Sequence, residues 1–162
     1  MKQHEVMKER TLGGHTFYVR PFGAFKAANI SGEIMSLIMP ILAGVAPIVS
    51  GAKIQSDNIS LLDMDAEKAA SHLANAASGI NGDKLEALFK KLLIQHKNIS
   101  VELEGERDVQ TLTVDIADEV FCGDAQDMFI LAFDVIKVNY SGFFKKLGDQ
   151  YGDVINAILA KQ

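Results

Sequence analysis

The chain has no tryptophan, three prolines and one cysteine in 162 residues. A single thiol, Cys122, cannot close an internal disulfide, so an apolar core must hold the fold, and the composition suits a reducing cytoplasm. Basic residues are outnumbered, 16 Lys+Arg against 21 Asp+Glu for a net charge of −5, and they form no long block. That argues against a nucleic-acid partner, which needs a concentrated cationic face to meet phosphates. The first ten residues, MKQHEVMKER, lack the apolar stretch of a signal peptide. Signatures of catalysis are also missing. His4, His15, His72 and His96 fall at no metal-ligand spacing, and Cys122 has no companion. No GxGxxG, GxxxxGK[ST] or GxSxG occurs. The carboxylates Asp115, Asp118, Glu119, Asp124 and Asp127 sit where helix caps and first-turn acids complement the macrodipole. No enzymatic activity, cofactor or metal is expected.

What is present is a globular composition, 48% hydrophobic and 23% charged, near the usual size of one domain. Residues 5–20 predict a hairpin. HTFYVR alternates, with Phe17 and Val19 on one face, and Gly13 and Gly14 supply the turn. Pro21 suits a first helical turn, so a helix is expected from there to about residue 39. Beyond it, Pro40 and Pro47 each remove a backbone donor, which predicts a kinked helix or two short helices meeting at Pro40. Residues 53–60 are polar and predict a loop; Asp63 or Asp65 can cap an alanine-rich helix over 66–77. Asp83 can cap another, in which Leu85, Leu88, Phe89 and Leu92 recur at i, i+3, i+4 and i+7. A second hairpin is expected over 98–116, with Ile99, Val101 and Leu103 facing Leu112, Val114 and Ile116. Asp124 then opens an apolar helix through Val138, and a last short helix lies near 154–160. The fold class is α+β, mainly helical: one domain over 1–162, with helices over 21–97 and 124–160 and two small antiparallel hairpins.

The most unusual stretch is residues 34–52, IMSLIMPILAGVAPIVSGA, nineteen positions without a charge. A bilayer span needs about twenty apolar residues. Two prolines and two glycines make this a poor lipid-facing helix, and its flanks carry no tryptophan or basic cluster. Burial in a core is the simplest fate for such a run. Yet Met128, Phe129, Ile130, Leu131, Phe133, Val135, Ile136 and Val138 already make a second helix apolar nearly all round. Covering two such helices strains a chain of this size, and surplus apolar surface points to another protein or to self-association. Met35, Ile38, Met39, Ile41 and Leu42 are the first candidates for that surface, methionine being well suited to repacking against varied partners.

Two longer stretches carry a resemblance. GGHTFYVRPFGAFKAANISGEIMSLIMPILAG joins a hairpin strand, Arg-Pro-Phe, Phe-Lys and a proline-interrupted apolar helix. DEVFCGDAQDMFILAFDVIKVNYSGFFKKLG joins an acidic loop, a Phe-x-Gly turn, an apolar helix, Val-Asn-Tyr and a double Phe. In this order, over roughly residues 12–150, the chain resembles the tail assembly chaperones encoded by long-tailed bacteriophages and prophages. The resemblance implies a non-enzymatic cytoplasmic protein of the bacterial host that binds the tape measure protein, helps recruit tail tube subunits and self-associates as a homo-oligomer. It also singles out Arg20, Phe22, Phe25 and Lys26 in the first motif, and Asn139, Phe143 and Phe144 in the second, as candidate protein-binding residues. Two rivals remain from other classes: a structural tail component such as a tube or terminator subunit, and a small membrane-associated protein built on residues 34–52.

Overall fold

The computed structural model describes residues 8–49, 67, 74, 78–79 and 81–159, with the side chains of 37–49 and 143–159 outside the description. Strands β1 (Lys8–Leu12) and β2 (His15–Val19) pair antiparallel, Lys8 opposite Val19 and Leu12 opposite His15. The turn between them places Gly13 at φ +55° and Gly14 at φ +83°, a geometry costly for any residue with a Cβ. A Cβ on Gly14 would also stand 2.7 Å from the Glu104 carboxylate.

The two hairpins do not stand apart. Strand β3 (Ile99–Glu102) pairs with β2, and β4 (Val109–Thr111) with β3, giving one antiparallel sheet in the order β1-β2-β3-β4. The joining register sets Phe17 opposite Val101 and Val19 opposite Ile99, so all four apolar side chains share one face and are fully buried. Polar residues occupy the other face, where the Tyr18 hydroxyl donates to Glu102 at 3.2 Å.

The second hairpin is shorter than its alternation implied. Val101 faces Gln110 and the strand ends at Thr111; Leu112 stays buried, its N–H donating to Ile99 O. Val114 and Ile116 lie instead in a helix, α3 (Val114–Val120), capped by Thr113 Oγ1, which accepts from Ile116 N. Over so few residues TVDIADEV satisfies both periods, and the helical one wins because it turns Ile116, Ala117 and Val120 toward the core.

Helix α1 (Ala24–Val49) starts three residues after Pro21 and continues through Pro40 and Pro47, so the break at Pro40 into two helices does not occur. Its inward face carries Ala27, Ile30 and Ile34. Helix α2 (Gly82–Phe89) runs on as a π-helical stretch, Lys90–Gln95. Its cap is Asn81 rather than Asp83: the Asn81 side chain accepts from Asp83 N at 2.8 Å. Leu88 and Leu92 are buried, with Leu85 and Phe89 packed beside them, as the stripe predicted. The expected loop 53–60, the caps at 63 or 65 and the helix 66–77 lie outside the described residues, apart from helical Glu67 and Ala74.

Helix α4 (Ala125–Leu159) replaces the expected pair of C-terminal helices by one of 35 residues, about 52 Å long. Glycine inside a helix costs only about 1 kcal/mol, and no proline interrupts this stretch, so Gly142, Gly148 and Gly152 do not end it. Seven successive residues, Ile130 to Ile136, are buried, so the middle of α4 is enclosed on every side. Phe17 stacks on Phe121, with centroids 5.6 Å apart, and Phe129 meets Phe89 edge to face.

One enclosed residue is charged. Asp134 has 0% exposure, and its carboxylate takes the Arg10 guanidinium through Nε at 2.5 Å and Nη2 at 2.9 Å, and also the Lys8 ammonium. Lys8 and Arg10 are next-but-one neighbours on β1, so both point to the helix side of the sheet. Removing one partner of a buried pair leaves the other charge uncompensated, typically at about 3–5 kcal/mol, whereas an apolar replacement of the whole group is close to neutral. Arg10→Ala should therefore cost about 3 kcal/mol. The combined Lys8→Met, Arg10→Met, Asp134→Leu variant should lie within about 1 kcal/mol of the parent in urea unfolding. A triple variant less stable than Arg10→Ala would contradict this account.

Candidate interaction surface

The segment from Arg20 to Ala27 crosses from the sheet into α1 and is held at three points along its course, two of them by α4. Arg20 N donates to Asn98 O at 2.9 Å, extending the line of β2. Phe22 N donates to Asn139 Oδ1 at 2.6 Å, while Asn139 Nδ2 donates back to Val135 O one turn earlier in α4, at 2.8 Å. One turn into α1, Ala27 O accepts from the Tyr140 hydroxyl at 2.6 Å. Burial pushes the Tyr140 phenol up to about 12, consistent with a hydroxyl kept neutral as a donor. Arg-Pro-Phe and Val-Asn-Tyr, far apart in sequence, are thus two halves of one joint.

The Phe22 ring lies edge-on to His96 at 5.3 Å. His96 is held below its ordinary value first by burial, then by the charges of Lys26 and Lys91. Lys91 also pairs with Glu33, tying the π-helical stretch to α1. On the outward side of the same joint, Arg20 and Lys26 are exposed and Phe25 is 93% exposed. Helix α1 has no acidic residue in its first turn, so its positive end is left to these cations.

The structure therefore brings Arg20, Phe22, Phe25, Lys26 and Asn139 into one region. Met35 lies farther along α1 and is half-buried. The side chains of Ile38, Met39, Ile41, Leu42, Phe143 and Phe144 fall outside the described residues. Sequence reasoning missed Tyr140 and His96 as parts of the joint. Tyr140 stood within the quoted motif, and a tyrosine on a helix apolar all round needs a hydroxyl partner, a usable signal.

A second feature lies at the start of α4. An open hollow of about 250 Å3 is lined by Ala117, Asp118, Phe121, Cys122, Ala125 and Met128. Beside it the acids crowd: burial, then Asp124 and Glu67, raise the Asp127 carboxyl above its usual value. Among the described residues no cluster of histidine, cysteine and carboxylate could hold a metal ion, and no helix is long and apolar enough to cross a membrane.

The architecture defined so far is a helical scaffold around a small sheet, with its outward features suited to meeting other polypeptides. Comparison with known families makes this specific: the profile described as phage tail assembly chaperone protein, TAC, matches residues 13–152. The chain belongs to that family and so has a role in phage tail assembly. Neither the curated proteins nor the solved structures contain a match to it.

The histidine at the joint gives a pH dependence. An unfolded histidine titrates near pH 6.5, and His96 titrates lower in the fold. Its contribution is full above the unfolded value and is lost as pH falls through the folded one, because the unfolded chain takes up the proton first. Between about pH 7 and pH 5, the fall in Tm should be shallower in His96→Gln than in the parent. Parallel slopes would contradict this placement of His96.

Proposed function

We propose that this chain is a non-enzymatic assembly chaperone, acting as one domain in the bacterial cytoplasm, that sheathes the tape measure protein and helps bring tail tube subunits to it. The observation that supports this most is the course of α1. It runs without a break to Val49, into the uncharged stretch, while α4 already takes the enclosed centre of the core. On a continuous helix Met35, Ile38, Met39 and Leu42 stand at i, i+3, i+4 and i+7, one face suited to lying along a long apolar client helix. Ile41 flanks that face. Arg20, Phe25 and Lys26 provide a second contact surface at the other end of α1, whereas Phe22 and Asn139 act by holding α1 on α4. Phe143 and Phe144, farther along α4, complete the set. A net charge of −5 keeps such a molecule soluble between encounters. The chaperone self-associates, which gives a long client several contacts in series.

Co-expression with the tape measure protein of the same locus tests this. The client's soluble fraction should rise with the parent chain, and Ile38→Asp should cut that gain about tenfold, since a charge must be desolvated in an apolar contact. An unchanged soluble fraction with the parent chain would end the chaperone reading.

A further inference from the structure

Three large apolar side chains are exposed among the described residues: Phe25 at 93%, Val109 at 53% and Val114 at 41%. They divide by charge. Phe25 stands in the first turn of α1, which carries no acidic residue, between exposed Arg20 and exposed Lys26. Val114 begins α3, whose outward residues Asp115, Asp118 and Glu119 are all acidic and exposed, and the hollow beside α3 has Asp118 in its lining. Arg20, Lys26, Asp115, Asp118 and Glu119 make no ion pair among the described residues, where all pairs found involve other groups.

Size and chemistry match across this division. An apolar cavity of roughly 150 Å3 is enough to take benzene. The α3–α4 hollow, at about 250 Å3, offers Ala117, Phe121, Ala125 and Met128 to a ring. Phe25 cannot fill it within its own chain, because its ring is almost wholly in solvent. Lys91 of the π-helical stretch pairs with Glu33 of α1, while its neighbour Lys90 feels the charge of Asp118 on α3.

We propose that the Phe25 ring of one copy seats in the α3–α4 hollow of a second copy, with Arg20 and Lys26 meeting Asp118 and Glu119. The two patches differ, so the contact is head-to-tail; each copy keeps a free knob at one end and a free hollow at the other, and the assembly extends. This rests on the self-association put forward above and gives it a surface distinct from the client-binding face.

Sedimentation velocity of the full chain over a wide concentration range tests it. The parent should show mass growing with concentration and falling at high salt. Phe25→Asp, which spoils the knob, and Ala125→Trp, which fills the hollow, should each weaken assembly about tenfold or more. Mixed in equal amounts they should form a one-to-one dimer and nothing larger, because each retains one working half. Both positions are exposed, and far-ultraviolet circular dichroism checks that each variant folds. Lys26→Glu and Asp118→Lys should each weaken assembly alone, whereas mixing those two should restore growth, because unlike copies then offer both the original charge pair and its reverse. A monomeric parent, variants that assemble like the parent, a first mixture without the dimer, or a second without growth overturns the proposal. These outcomes are separate from the solubility of a co-expressed client, which reads the chaperone role itself.

Discussion

A carboxylate with no exposed surface, Asp134, dictates where the N-terminal strand must lie. Burying a lone carboxylate is prohibitive, so the middle of α4 can be enclosed only if cations arrive with it. They come from β1, where alternation puts Lys8 and Arg10 on the helix side of the sheet. Placing β1 fixes β2 through a two-glycine turn, and β2 then offers Phe17 and Val19 to β3. Register, in a sheet with one buried face, is not a free choice, since a one-residue slip would turn those side chains outward. The ionic contact thus contributes less as net stability than as specification of which strand packs where.

On this pillar the second long helix is hung by its first turn. Asn139 and Tyr140 hold the backbone of Phe22 and Ala27, and Lys91 pairs with Glu33 two turns on. Both hydrogen bonds are to main-chain atoms, so they set the entry angle of α1 whatever side chains its outward face carries. A chaperone of the proposed kind, taking up an apolar client, has reason to separate the two tasks in this way. The joint is polar and specific; the apolar length beyond it can serve binding.

The fold class, the first hairpin and the α2 stripe were legible because strong periodicity and turn glycines agreed locally. Three features were not. The merging of the hairpins depends on β2 meeting β3, a pairing between residues some eighty positions apart that no local pattern encodes. Val114 and Ile116 fit both periods, and a threonine cap decided between them. The unbroken courses of α1 and α4 show that proline and glycine penalties of a few kcal/mol yield to the rest of a long helix. As for the interaction surface, Arg-Pro-Phe and Val-Asn-Tyr were visible as words, but their joining was not. Asp134 was the missed clue: one acid in MFILAFDVIKV, a run otherwise apolar but for Lys137, calls for a buried partner.

The central claim is that the helix carrying residues 34–49 is the part that takes up a client, while the enclosed middle of α4 only supports it. Hydrogen–deuterium exchange of the full chain, alone and with the tape measure protein bound, tests this most directly. Amides of 34–49 should gain strong protection on binding while those of 130–136 stay unchanged. Protection that rises elsewhere and leaves 34–49 as in the free chain would contradict the account.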